Sequence, residues 1–319
     1  MSEILSAISY WLEVIWAVER NRNSSKKHSE ENSMSIVKLW GGLGNQLFQY
    51  AFGQWLAQTN GEPVSYVNKE GSSNLTGLKI SHLQCVLNQP DMAMLGNIES
   101  YFNQQHRIKR KLFQLFPFLN NQIVVEAAYP KQPVMFKQEQ LFDGYWQNLT
   151  YLANQRSTLL EAFQFKDPSP YIASPYLPLI QSSENAVCMH IRRGDYLTSG
   201  YHHQLPISYY QLAIEEINRS VLNPQFFVFS NDLSWVKEHL QTDAKLIFVD
   251  HSKDAAADLF DFFLMRQCNH HIIANSSFSW WPAYLNQDPN KIVIAPKHWY
   301  QSKYNDLSLN ILPSAWITL

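Results

Sequence analysis

The residues whose types and spacing could do chemistry are concentrated in Ala186-Val187-Cys188-Met189-His190-Ile191-Arg192-Arg193-Gly194-Asp195-Tyr196. The stretch opens as a continuous apolar run, which reads as a buried strand of a parallel sheet. It ends in a histidine, two adjacent arginines, a glycine and an aspartate. Ligands of open α/β sheets sit beyond the carboxyl ends of the strands, so paired guanidinium groups at such an exit suit an anion. Successive strand residues point to opposite faces, and Arg192 and Arg193 therefore take different jobs. One clamps a phosphate bidentately; the other ties down the loop, with Asp195 as its partner. The alternative, a salt-bridged surface turn, fits a lone Arg-Arg pair but not one preceded by a buried strand and accompanied by the motifs below.

The elements that must position these residues read as alternating strands and helices. Ser35 to Trp40 is a strand, followed by the turn Gly41-Gly42-Leu43-Gly44-Asn45-Gln46. A helix face then shows Leu47, Phe48, Ala51, Phe52, Trp55 and Leu56. A helix N-terminus offers unpaired N–H groups and a positive dipole end. The turn is not the dinucleotide fingerprint, because Leu47 stands at the third glycine position, and it is not a P-loop, because the chain has no Gly-Lys pair.

Residues 62–165 alternate strand-like runs (Val64 to Val67, Leu78 to Ile80, Ile123 to Val125, Leu141 to Gln147) with helical patterns. These include an Ile108, Leu112, Phe113, Phe116 stripe and a helix from Ala153 to Phe165. The proline-rich Lys166 to Pro178 marks a domain junction. Beyond it, strands ending in Ser230-Asn231-Asp232 and Asn275-Ser276-Ser277-Phe278-Ser279-Trp280-Trp281 join the arginine strand. Three strand ends of one sheet then gather phosphate clamps, hydroxyl and N–H donors, and carboxylates able to pair with a base. That set is what a nucleoside diphosphate requires. Neither Asp-x-Asp nor H-E-x-x-H occurs, and the adjacent pairs His202-His203 and His270-His271 would face opposite ways on a strand. No metal site is expected, so charge on a leaving diphosphate falls to arginine and helix ends.

Composition bounds the rest. The chain has 319 residues, 45% hydrophobic against 16% charged, enough to bury real cores in two domains. A formal net charge of −2 excludes a nucleic-acid footprint. Cys85, Cys188 and Cys268 are dispersed, which reads as reduced thiols in a cytoplasmic protein. Met1 to Arg20 lacks the basic start of a signal peptide, and its apolar run is too short to span a bilayer. Ile4, Ile8, Trp11, Leu12, Ile15 and Trp16 recur at helical spacing, and the polar stretch Asn21 to Ser33 reads as a linker. Residues 1–33 are read as an appended helix and linker, a candidate for peripheral contact with the inner face of the membrane.

Taken in order, Gly41 to Ala51, His190 to Tyr196, Phe227 to Asp232 and Asn275 to Trp281 resemble the bacterial α-1,2-fucosyltransferases, glycosyltransferase family 11. The resemblance runs from about residue 35 to the C-terminus and leaves residues 1–33 outside. It implies an α/β, GT-B fold of two Rossmann-like domains facing across a cleft, with residues 34–168 on the acceptor side and 169–319 binding GDP-fucose. It implies inverting, metal-independent transfer of L-fucose from GDP-β-L-fucose to the 2-hydroxyl of a terminal galactose. The acceptor would be an oligosaccharide or lipid-linked glycan, as in O-antigen assembly, and no cofactor is needed. By the same resemblance Arg193 meets the β-phosphate, His190 lies near guanine, and Asp261 pairs with guanine, with Asp258 as its rival. Ser277, Phe278 and Ser279 line the diphosphate. Asn45 faces the fucose or the acceptor, and Gln46, Arg192 and Asn231 complete the substrate-binding set. Asp195 is the candidate base, with His202, His203 and a water held by Asn45 as rivals. Competing readings are a fucosyltransferase of another linkage, such as α-1,6, a non-catalytic GDP-sugar or glycan-binding protein, and a surface scaffold acting through residues 1–33.

Overall fold

The computed structural model describes residues 35–90, 101–102, 122–126, 140–194, 203–251, 254, 256–301 and 310–319. The segment 1–33, the Ile108 stripe, Asp195 and His202 lie outside the described residues. The architecture is α/β, with two sheets whose ordered pairings are all parallel. The first has the order β2-β1-β4-β3, from β1 (Ser35–Lys38), β2 (Val64–Val67), β3 (Ile123–Val125) and β4 (Leu141–Asp143). The second has the order β10-β9-β8-β5-β6-β7, from β5 (Asn185–Ile191), β6 (Pro224–Ser230), β7 (Leu246–Phe248), β8 (His270–Ile272), β9 (Val293–Ala295) and β10 (Ile317–Thr318). The two Rossmann-like sheets face one cleft, the GT-B arrangement.

The long β5/β6 pair, in register from Asn185↔Pro224 to Ile191↔Ser230, is the spine of the second sheet. Its apolar run is buried on both faces, as a central parallel strand requires. Helix α1 (Leu43–Asn60) follows β1. It buries the expected stripe except Trp55, which is half-buried, and also Gln46, Gln49 and Tyr50, because it lies between the first sheet and α8 (Ser277–Leu285). The ring of Phe48 sits 4.8 Å from Trp280 and 4.7 Å from Trp281. One apolar cluster consequently runs from Val37 and Phe142 of the first sheet through Trp280 and Trp281 to Val293 and Trp299 of the second half. Among the described residues the other α-helices are α2 (Arg156–Ala162), α3 (Ser169–Ile172), α4 (Tyr176–Ser182), α5 (Ile207–Ser220), α6 (Leu233–His239) and α7 (Ala257–Met265).

Three expectations change. Leu78 to Ile80 is not a strand: Lys79–His82 forms a 3-10 turn, held where Gln46 Oε1 accepts the Ile80 N–H at 3.0 Å. The helix expected from Ala153 is the shorter α2, preceded by a 3-10 turn at Leu149–Leu152. The proline-rich junction folds into α3 and α4, with Pro168 and Pro175 at their N-caps, where a missing N–H costs nothing.

Where α1 meets α8, backbone touches backbone. A Cβ added at Gly44 would lie 2.4 Å from the Ser277 carbonyl carbon and 2.6 Å from the Phe278 nitrogen. Trp281 Nε1 donates to the Gly44 carbonyl at 2.9 Å across the same seam. No flexible side chain can give way there. Gly44→Ala should destabilise the fold by at least about 2 kcal/mol, read as a lower thermal midpoint. Gly77→Ala, where an added Cβ meets nothing within 4 Å, serves as the comparison; it should stay within about 0.5 kcal/mol of the parent.

Candidate active site in the cleft

A cleft of about 850 Å³ opens where the carboxyl ends of β5, β6 and β8 face the start of α1. His190 and Arg192 of the β5 exit, Asn231 and Asp232 after β6, and Asn275 to Phe278 after β8 all line it. The convergence expected from the strand-end rule is present. Gly42, Leu43, Gly44 and Asn45 supply the facing wall. The start of α1 has no side-chain cap and no acidic residue in its first turn, so its N–H groups keep their positive end for a ligand. Helix α8 begins in the same cleft, with Ser276 Oγ accepting the Phe278 N–H at 3.3 Å.

Strand parity separates the two arginines. His190 and Arg192, two apart, both reach the cleft. Arg193, expected at the β-phosphate, is not in its wall. Its guanidinium lies over Trp235, 3.4 Å from the ring centroid, with Nε 3.6 Å from Asp232 Oδ2. Its backbone N–H donates to Asn231 Oδ1 at 2.9 Å, so Asn231 holds the β5 exit as well as lining the cleft.

Asn45 joins the two halves: its Oδ1 accepts from Ser277 Oγ at 2.8 Å and from Gln147 Nε2 at 2.9 Å. Gln46 and Ser279, expected at the substrate, are buried away from the cleft wall. Gln46 Nε2 donates to the Gly41 carbonyl at 2.8 Å and shapes the glycine turn, while Ser279 Oγ donates to the Ser276 carbonyl at 3.4 Å inside α8. Phe278 lines the cleft beside His190, with ring centroids 5.6 Å apart.

Burial sets the charge states. The His190 imidazole is pushed down to about 3, by desolvation first and then by the Arg192 charge, and stays neutral at physiological pH. Its Nδ1 is buried without a hydrogen-bond partner among the described residues. Asp261 lines the cleft, and burial pushes its carboxyl up against the opposing pull of His251. His251 Nδ1 lies 2.8 Å from Asp261 Oδ1, and its Nε2 lies 3.2 Å from Ser174 Oγ, which fixes the carboxylate's orientation. The rival Asp258 instead pairs with Lys79 of the other half, both at the cleft wall. His203 is not in the wall; burial, and then His298, lowers its pKa. Among the described residues no group of three or more His, Cys, Asp or Glu side chains sits as a metal ion's ligands would.

Sequence reasoning missed Lys79, Tyr145, His251, Trp299 and Tyr300, all in the cleft wall. His251 lies three residues past β7, at the carboxyl edge where the strand-end rule places ligands, but no motif marks it.

Comparison with known proteins gives a consistent result. The sequence profile "Glycosyl transferase family 11" matches residues 8–319, reaching into the N-terminal segment that the motifs left outside the resemblance. The O-antigen biosynthesis glycosyltransferase WbnK of Escherichia coli is 29% identical over 303 residues, covering 88% of this chain and 99% of that protein. An alpha-1,2-colitosyltransferase of Escherichia coli is 28% identical over 305 residues, covering 90% of this chain and 99% of that protein. Galactoside alpha-(1,2)-fucosyltransferase 2 of Hylobates lar is 26% identical over 271 residues, covering 81% of this chain and 71% of that protein. Among the described residues no helix is long and apolar enough to cross a membrane.

The buried histidines make stability pH-dependent. His190 and His271 both titrate near about 3 in the fold, against 6.5 ordinarily. Below 6.5 the unfolded chain binds protons that the fold excludes, so this stability is complete above 6.5 and is lost as pH falls toward 3. At pH 5 each histidine should have cost about 2 kcal/mol. Denaturant titrations at pH 7 and pH 5 should show the drop, and His271→Asn should remove about half of the part linked to His190 and His271.

Proposed function

The chain belongs to glycosyl transferase family 11, and from that premise we propose that it transfers L-fucose from GDP-β-L-fucose to the 2-hydroxyl of a terminal galactose, with inversion and without a metal ion. The relatives named for α-1,2 transfer support the linkage. The relative named for O-antigen biosynthesis supports a bacterial surface glycan, lipid-linked and built at the cytoplasmic face, as the acceptor. The observation that carries the reading is the position of Arg192, in a cleft wall shared with the starts of α1 and α8.

Acceptor O2 attacks the anomeric carbon in line as the C–O bond to the β-phosphate breaks, and GDP leaves with the bonding pair. Negative charge grows on the phosphate oxygens. Arg192 and the positive ends of the two helix starts are preorganised to receive it. Asp261, held by His251, suits the N–H edge of guanine, which donates where a carboxylate accepts. The hydroxyl proton must leave with the attack, and Asp195, three residues beyond Arg192 in sequence, is the acceptor we assign. A colitose donor is the second reading, favoured by the named colitosyltransferase.

Three measurements test this. A panel of galactose-terminated acceptors, incubated with GDP-fucose or GDP-colitose in EDTA, should give an α-1,2 product by NMR. Activity lost in EDTA, or another linkage, overturns the corresponding part. Arg192→Ala should lower turnover by about 10²–10³, and Arg192→Lys should not restore it, because the fork is lost. Arg193→Ala should act mainly through stability; the reverse ranking of the two alanine variants would return the phosphate to Arg193. Asp195→Asn should remove the acidic limb of the pH–rate profile, and an unchanged profile excludes it as the base.

A further inference from the structure

The exit of the first sheet carries an aromatic face that the donor chemistry leaves unused. Trp40, just past β1, and Tyr145, just past β4, stack with ring centroids 4.4 Å apart and planes at 29°. Tyr145 is half-buried and lines the cleft. The indole Nε1 of Trp40 is buried with no hydrogen-bond partner among the described residues.

Tyr145 is held with unusual care for a half-exposed ring. Glu126, just past β3, takes the Tyr145 N–H on Oε2 at 2.6 Å and the Trp146 N–H on Oε2 and Oε1 at 3.0 and 3.1 Å. Gly144 makes room for that carboxylate, since a Cβ there would lie 2.3 Å from Glu126 Cβ. Trp146 adopts a positive φ of 56° and drives its ring flat against Phe52 of α1, with centroids 4.1 Å apart and planes at 7°. Buried Gln49 ties both exits to α1, accepting the Trp40 N–H at 2.9 Å and donating to the Gly144 carbonyl at 3.0 Å. Gln147 follows in the same wall, bonded to Asn45 and within 3.4 Å of the Tyr300 hydroxyl. The same scaffold holds the buried Trp146 and the cleft-lining Tyr145, and it fixes the latter ring in one pose, as a ring that meets a ligand requires.

We propose that Tyr145, backed by Trp40, is the platform for the C–H face of the acceptor's terminal hexose, with Glu126 as the residue that positions it. A hexose offers an apolar patch of ring C–H groups edged by hydroxyls. An aromatic face takes the patch by dispersion and burial, and the Gln147 amide beside it suits a hydroxyl of the edge. Tyr145 belongs to the first half of the chain, whereas Arg192 and His190 belong to the second. Acceptor and leaving group are thereby assigned to different halves. The inference rests on the sugar-transfer reading above.

The test is steady-state kinetics on lactose and longer galactose-terminated glycans, with GDP affinity measured separately. Tyr145→Leu should raise acceptor KM about tenfold, leave kcat within about threefold, and leave the GDP dissociation constant unchanged. Tyr145→Phe, which keeps the ring, should raise acceptor KM far less than Tyr145→Leu. Glu126→Ala should reproduce the acceptor KM increase, and Glu126→Gln, which keeps a carbonyl oxygen for the two amides, should recover most of it. If Glu126→Ala does not fold, Tyr145→Leu decides alone. An unchanged acceptor KM in Tyr145→Leu, or a rise confined to GDP-fucose, overturns the proposal. Should the parent bind GDP yet transfer nothing, the sugar-transfer reading fails. Saturation-transfer NMR with lactose then reads the platform independently: signal lost in Tyr145→Leu supports it, and signal retained, or none in the parent, overturns it.

Discussion

The structure depends on one close approach. At Gly44 the first turn of α1 lies so near the Ser277–Phe278 peptide that a single carbon could not be inserted. Because the two helix starts are pressed together, their N–H ends share one cleft. Each start retains backbone donors that no helix can satisfy from within. Bringing two of them to one place makes a site for an anion without any net positive charge on the protein, whose formal charge is −2. The bonds from Trp281 to Gly44 and from Ser277 to Asn45 hold the register of this contact. The apolar cluster around Phe48 supplies its adhesion.

At the cleft, desolvation is the larger influence on both His190 and Asp261. At His190 burial and Arg192 act in the same direction, so the imidazole stays neutral and the guanidinium remains the charge of the β5 exit. At Asp261 burial opposes His251, and burial is the larger of the two. Asp232, Asp250, Asp258 and Asp261 share the wall with Arg192 and Lys79. Such a mixed wall matches a ligand that is anionic at one part and a hydrogen-bond donor at another.

The parallel strands were legible because a strand buried on both faces has no polar alternation. The run Val187-Cys188-Met189 could be read directly, and with it the strand-end rule that gathers His190, Asn231 and Ser277. Helix α1 was legible from its stripe, but its buried Gln46 and Gln49 were not, because each bridges one backbone group near it in sequence, at Gly41 or Trp40, to one far away, at Ile80 or Gly144. Gln46 therefore looked like a ligand and proved to be a brace for the glycine turn. Parity says that Arg192 and Arg193 diverge but not which one faces the cleft, and the resemblance assigned the phosphate to Arg193. In the structure the Arg193 guanidinium lies over Trp235 while Arg192 lines the cleft, a placement that leaves no mark in the motif. Tyr145 was hidden for another reason: its position comes from Glu126, just past a different strand, and its signal is a contact rather than a spacing.

A shared core also bears on how the cleft can work. Two lobes joined only by a linker must close around their substrates, and the ordering cost comes out of binding energy. Here the lobes are joined by the α1–α8 seam, by Arg156 donating to the Asn286 carbonyl at 2.8 Å, and by the Lys79–Asp258 pair at the cleft wall. Arg156 and Lys79 come from the first half and Asn286 and Asp258 from the second, at separate points along the seam. A hinge motion large enough to part the walls would break the Phe48 cluster as well, exposing indole rings that are now buried. The facing walls are therefore held in place before any ligand arrives. In a displacement reaction, a nucleophile and a leaving group fixed on opposite rigid walls start with much of their orientational entropy already lost, the condition under which positioning contributes most to rate.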